Sequence, residues 1–149
     1  MSEYLQFTID KFTFRTATDR YYSAEGLWAK PEGNRVRIGL SDYLQQRSGD
    51  VAFVELKALG SVVRRDEELA VIETIKVNIS LTSPVTGKVV EINPAMETRP
   101  EIINQDPYGE GWMMVVEVFD LKIDQGQWLD PQTYFDNARQ DSASELNQP

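Results

Sequence analysis

The chain contains no cysteine and no histidine. Without cysteine there is no disulfide framework, no thiolate metal site and no cysteine nucleophile. Without histidine the commonest general base and the commonest zinc ligand are both missing. No Asp-rich loop has calcium-binding spacing, so no metal site is expected. Positive charge is scarce: 15 Lys and Arg face 24 Asp and Glu, for a net charge of −9. Such a surface repels phosphate backbones and anionic lipids, which argues against nucleic-acid and membrane partners. No apolar run approaches the roughly 18 residues of a spanning helix, and no basic start leads into an apolar stretch, so a cytoplasmic protein is expected. An enzyme built from this inventory would rest on Ser, Lys, Tyr, carboxylates or a prosthetic group. Ser23, Ser41 and Ser83 have no histidine to activate them, so a hydrolase triad is not supported.

What is present suits one domain, because 149 residues can bury on the order of 70% of the unfolded surface. Leu5, Phe7 and Ile9 alternate with Gln6, Thr8 and Asp10, and Phe12 and Phe14 resume the pattern after a slip at Asp10-Lys11. Residues 1–18 therefore read as an N-terminal extension forming an extra edge strand or hairpin. Leu27-Trp28-Ala29, a type I turn at Pro31-Glu32-Gly33 and the alternation of Val36, Ile38 and Leu40 predict a second hairpin. Ser41 is placed to cap a short helix over 42–47, and Gly49 to end it. Further strands are predicted at 51–56, from 69 to 72, at 89–92, and through Trp112, Met114, Val116 and Val118 on one face. Pro100 opens a helical turn through Ile103. Asp130-Pro131 reads as the cap and first residue of a C-terminal helix ending near Arg139, with 140–149 as a flexible tail. Many short strands with frequent turns predict a mainly β domain over 19–139, a sandwich or small barrel with helices at its edges. Trp28, Trp112, Met113 and Met114 are expected in the core.

Residues 71–81 carry the informative stretch. Ile75, Val77, Ile79 and Leu81 share one face and Lys76, Asn78, Ser80 and Thr82 the other, so Lys76 projects outward. By pattern alone it is an ordinary solvated lysine. Its surroundings say more. Glu73-Thr74-Ile75-Lys76-Val77, followed by Ser83-Pro84-Val85-Thr86-Gly87-Lys88-Val89-Val90-Glu91-Ile92-Asn93, resembles the modification site of the glycine cleavage system H-protein family. The resemblance continues through Ile38-Gly39-Leu40-Ser41-Asp42, through 49–56, and through Pro107-Tyr108-Gly109-Glu110-Gly111-Trp112, and spans about 24–118.

This resemblance implies a flattened antiparallel β-barrel or sandwich of the biotinyl/lipoyl hammerhead type, with short flanking helices and a C-terminal helix. It implies Lys76 at a hairpin tip, joined by an amide to lipoic acid as a swinging arm. The chain would then be a non-catalytic carrier subunit of a multienzyme system, with the cofactor supplying the chemistry. Glu73 would be a recognition carboxylate for a lipoate ligase or lipoyl transferase, and Gly87 the small partner in the facing turn. Dihydrolipoamide dehydrogenase would be a further partner. Biotin is disfavoured, because biotin domains place Met on both sides of the lysine and this chain has Ile75 and Val77.

Three positions depart from the family pattern. Leu27 stands where the family has a glutamate before its tryptophan, Ser80 stands where it has an acidic residue four after the lysine, and Arg47 adds a cation near the expected cargo cleft. A cleft stripped of carboxylates and given a guanidinium would repel an ammonium and attract an anion. The expectation is therefore a sulfur-bound cargo without an amine, as in the lipoate-binding proteins of the heterodisulfide-reductase-like sulfur-oxidation system. The alternative is the glycine cleavage H protein itself, carrying an aminomethyl group, with Glu25 or another acid compensating. A plain interaction module that is never modified is the competing class.

Overall fold

The computed structural model describes residues 3–146. Its first elements, β1 (Tyr4–Ile9) and β2 (Phe12–Ala17), pair antiparallel as a separate two-stranded sheet. The slip at Asp10-Lys11 is their turn, with Asp10 at φ 56, a left-handed angle that Asp tolerates better than most residues. Then follow β3 (Tyr21–Tyr22), β4 (Leu27–Glu32) and β5 (Arg35–Leu40). The β4–β5 turn is not centred on Pro31. Glu32 pairs with Arg35, so the loop is Gly33-Asn34, and Pro31 pairs with Val36 within the ladder. Tight hairpin loops require positive φ, and Gly33 supplies it at φ 66.

The remaining elements are α1 (Asp42–Ser48), β6 (Val51–Leu56), β7 (Val62–Val63), β8 (Glu68–Thr74), β9 (Asn78–Thr82), β10 (Gly87–Ile92), α2 (Ala95–Thr98), α3 (Ile102–Gln105), β11 (Met114–Val118), α4 (Leu121–Gln125) and α5 (Pro131–Leu146). A six-stranded sheet runs β3-β4-β5-β11-β10-β7 and a three-stranded sheet runs β6-β8-β9, with every pairing antiparallel. This is the expected mainly β sandwich with short helices and a C-terminal helix. Ser41 caps α1 by accepting from the Leu44 amide at 3.2 Å, and Gly49 at φ 92 ends it. The predicted turn from Pro100 starts two residues later, at Ile102. Trp112 precedes β11 rather than joining it and lies half-buried under the Arg37 guanidinium, 4.3 Å from its ring.

Between the sheets lies a core that includes Leu27, Val36, Ile38, Leu40, Ile72, Val89 and Met114, all fully buried. Trp28 joins Tyr22 and Tyr134 in an adjoining aromatic cluster and donates its indole N–H to the Pro107 carbonyl at 2.9 Å. Buried indoles need such a partner. A third cluster fastens the N-terminal hairpin to the body. Phe7 sits edge-on to Phe135 of α5 at 5.6 Å, and Phe14 edge-on to Tyr43 of α1 at 5.1 Å. The alternation seen in β1 and β2 is thus a true inward face, and its cover is α1 and α5.

The C-terminal helix does not stop near Arg139 but continues to Leu146. The reason is tertiary. Ser142 is buried, and Asp141 and Glu145 are held by Arg47 of α1. Of the predicted tail, 140–146 is helix and 147–149 lies outside the described residues. No helix among the described residues is long and apolar enough to cross a membrane.

Candidate functional site

The alternation across 71–81 does not belong to one strand. It is cut by a two-residue turn, Ile75-Lys76, between β8 and β9. Thr74 builds that turn. Its amide and its hydroxyl both donate to the Val77 carbonyl, at 2.8 and 2.9 Å, while the same hydroxyl oxygen accepts from the amides of Lys76 (3.2 Å) and Val77 (2.9 Å). A threonine hydroxyl that closes such a ring replaces the glycine a tight turn usually takes. Ile75 then points away from the core and is 80% exposed. Its amide donates to the Asp50 carbonyl at 3.1 Å, which pins the tip to the start of β6.

Lys76 therefore occupies a rigid, exposed tip. Its ammonium donates to the Arg47 carbonyl at 3.2 Å. Its stem runs beside Gly49, where an added Cβ would stand 3.5 Å from Lys76 Cβ. Among the described residues no carboxylate pairs with it. An accessible amine without an ion-pair partner, on a hydrogen-bonded base, fits an acylated tether. Glu73 lies on the same hairpin, exposed and paired across to Asn78.

The structure does not bring Gly87, Leu27 or Ser80 to this tip. Gly87 is not in a facing turn. It lies in β10 of the other sheet, between Val63 and Val118. A Cβ there would run into the Glu117 backbone carbonyl, so the glycine serves strand packing. Leu27 lines no cleft. It is fully buried in the core, paired with Leu40. Ser80 is exposed and donates to Glu68 at 2.6 Å.

Arg47 is near the tip but is not a free cation. It donates to Asp141 at 2.8 Å and to the Tyr43 hydroxyl at 2.6 Å, and its other terminal nitrogen is bound to Glu145. The two carboxylates outnumber the one guanidinium. Tyr43 in turn donates to Asp141 at 2.5 Å. Burial first, then that hydrogen bond, pushes the Tyr43 hydroxyl up to about 12.

Two cavities flank Arg47. One, of about 430 Å³, is lined by Glu25, Leu44, Tyr134, Asn137 and Asp141 among others. Glu25 accepts from the amide and the hydroxyl of Thr82, at 2.8 and 2.5 Å. The other, of about 340 Å³, is lined by Ile9, Phe12 and Phe14 of the hairpin together with Lys76 and Glu145. Sequence reasoning missed both α5 acids and the hairpin wall. Asp141 and Glu145 stand four apart, a spacing that puts them on one helix face and signals a shared partner.

The family model for the glycine cleavage H-protein matches residues 20–140. The chain belongs to the glycine cleavage H-protein family. It is 44% identical over 116 residues to the glycine cleavage system H protein of Thermus thermophilus, covering 78% of this chain and 90% of that one. It is 45% identical over 108 residues to that of Stenotrophomonas maltophilia, with 72% and 82% covered. The crystal structure of a glycine cleavage system H protein from Mycobacterium marinum superposes with a TM-score of 0.71 at 31% identity, covering 78% of this chain and 94% of the other. As a member of the family the protein is a non-catalytic carrier, with lipoic acid attached covalently to a lysine. These relatives are named for glycine cleavage and lend no support to the sulfur-oxidation reading. The three substitutions behind that reading also lose their force. Leu27 is core, Ser80 is bound to an acid, and Arg47 is neutralised by α5.

Proposed function

We propose that the protein is the lipoyl carrier of a glycine cleavage system, with Lys76 as the attachment point and an aminomethyl group as its cargo. The observation that carries the reading is the position of Lys76. It is the exposed lysine of a Thr74-clamped two-residue turn, inside the segment matched to the family. The lipoyl group supplies a dithiolane that opens to two thiols and closes again. This chain's own work is mechanical and electrostatic. The Thr74 ring and the Ile75–Asp50 bond hold the attachment point still, so that a long tether swings from a fixed base. Tethering raises the local concentration of the carried group at each docked partner.

The charge around the tip supports the cargo. An aminomethyl group brings an ammonium, which needs anionic or carbonyl acceptors when it leaves water. Glu25 and Asp141 line one cavity beside Arg47 and Glu145 lines the other, so acid is plentiful although residue 27 carries none. Glu73, exposed on the same hairpin, supports recognition by a lipoate ligase. The net charge of −9 supports docking on basic surfaces of the glycine cleavage enzymes.

Intact mass of protein made with lipoate and a ligase tests the attachment. The expected result is one lipoyl amide on the wild type and none on Lys76→Ala. A wild type left unmodified beside other lipoylated acceptors removes the reading. Reconstitution with glycine cleavage partners tests the pathway. Lipoylated protein is expected to support glycine-dependent turnover, and failure with full lipoylation would overturn the assignment of cargo while leaving the carrier role standing.

A further inference from the structure

The N-terminal hairpin, 4–17, lies outside the segment matched to the family, and its two outer edges meet different surroundings. The Thr18 amide donates to the Glu3 carbonyl at 2.9 Å. That bond sets the phase of the antiparallel ladder. The backbone groups of 13, 15 and 17 on β2, and of 4, 6 and 8 on β1, therefore point away from the paired strand. On β2 these groups are taken. The Thr13 carbonyl accepts from the Gln46 side chain at 2.9 Å and the Arg15 amide donates to Asp42 at 2.9 Å. The Arg15 and Ala17 carbonyls accept from the Tyr108 and Tyr22 hydroxyls at 2.8 and 2.7 Å. On β1, among the described residues, nothing bonds to the amides or carbonyls of Tyr4, Gln6 and Thr8. We propose that a second copy of the chain docks on this edge, β1 against β1, about a twofold axis at Gln6.

Charge is the first argument. Exposed sheet edges are normally blunted by charged side chains or proline. The strand Tyr4-Leu5-Gln6-Phe7-Thr8-Ile9 has neither. It meets its own copy without local repulsion, although each chain carries a net charge of −9. The twofold arrangement also sets Glu3 of each copy opposite Ile9 of the other, beside the turn that carries Lys11. The two ends of the paired strands are thus complementary in charge.

Register is the second. With Gln6 on the axis, Gln6 faces Gln6, and Tyr4 of either copy faces Thr8 of the other. Each of these pairs exchanges both backbone bonds, about six in all. Any other centre leaves fewer such pairs within β1. The same register sets Leu5 beside Phe7 on the inward face. Cover over that face thins toward the open edge: Phe14 on β2 is 6% exposed, while Leu5, Phe7 and Ile9 on β1 are only half-buried. A neighbouring β1 withdraws this remaining apolar area from water. An edge of 6 residues buries less than the roughly 1,200 Å² of a stable interface, so the dimer is weak and concentration-dependent.

The test uses the full chain in sedimentation equilibrium at physiological salt. The average mass is expected to rise from one chain at about 10 μM toward two at about 1 mM, while amide hydrogen exchange at 4, 6 and 8 slows. Gln6→Pro removes an amide that the β1–β2 ladder does not use, and is expected to weaken the dimer about tenfold. Gln6→Lys and Gln6→Glu, each alone, set like charges opposite on the axis and weaken it about two- to fivefold; mixing the two restores the mass. Near-ultraviolet circular dichroism shows whether each variant keeps its packing, and should Gln6→Pro lose it, the charge pair decides. A mass of one chain throughout overturns the proposal, whatever other segment is then found on the edge. A dimer indifferent to all the folded variants, or one in which exchange at 4, 6 and 8 does not slow, also overturns it, because its interface lies elsewhere. None of these outcomes bears on Lys76 as the attachment point.

Discussion

At the scale of single residues, the positions that look alike in the sequence separate by burial. Leu27 and Arg47 both stand at departures from the family pattern, yet one is sealed in the core and the other lies on the surface beside the tip. Leu27→Ala is therefore expected to behave as a core truncation, costing about 2–5 kcal/mol. Chemical denaturation measures it, and intact mass of the folded fraction is expected to show lipoylation unchanged. Gly87→Ala forces a methyl group against the Glu117 carbonyl, and overpacking of this kind costs about 1–3 kcal/mol. A lower melting temperature with normal lipoylation would place Gly87 in the fold rather than in recognition by the ligase. The role proposed for Lys76 is readable from neighbouring residues, Glu73 through Val77 and Ser83 through Asn93, that stand in order along the chain. Leu27 was not legible as core. Its role is decided by Leu40, thirteen residues away across a ladder, and a one-dimensional pattern does not say which side of a strand faces a cleft.

At the scale of elements, local signals were readable and tertiary ones were not. Ser41 and Gly49 mark α1 because caps are local chemistry. The β1–β2 hairpin was readable from alternation, and so was its turn at Asp10. The extra turns of α5 were hidden, because 140–146 is mostly polar and its tertiary partner, Arg47, lies on a distant element. Arg47→Ala is expected to loosen that end. Amide hydrogen exchange at 140–146 should rise, while the global denaturation midpoint moves little, since exposed ion pairs contribute about 0–1 kcal/mol. Unchanged exchange at 140–146 would show that α5 holds itself. The two-residue turn at Ile75-Lys76 was likewise obscured by a hydrophobic alternation running through it. The competing term is the Thr74 hydroxyl, which closes the turn without any glycine.

For the molecule as a whole, buried tyrosines set an alkaline limit. Burial, ahead of hydrogen bonding and neighbouring charge, pushes Tyr43 up to about 12 and Tyr108 up to about 12. Tyr22 and Tyr134, stacked 4.4 Å apart, are raised further by burial. Each hydroxyl keeps its proton more firmly in the folded state than in the unfolded one, whose value is about 10. Their contribution to stability is therefore complete below about pH 10 and is lost as pH rises through about 12. Denaturation midpoints are expected to be insensitive to these groups up to pH 10 and to fall steeply above it. The rise of tyrosinate absorbance should coincide with loss of the near-ultraviolet circular dichroism. Free titration of all six tyrosines near pH 10 in a folded protein would contradict the packing described.

The contact between Phe7 and Phe135 joins the N-terminal hairpin to α5, 128 residues further along the chain. During translation at about 5–20 residues per second, roughly 6–26 s separates the emergence of these two rings. The central sandwich can condense in that interval and α1 can cover Phe14, but Phe7 must wait, half its apolar face bare, for α5 to leave the ribosome. Fusions or truncations that delay or delete this helix would leave a newborn chain with a finished barrel and an unshielded sticky flap.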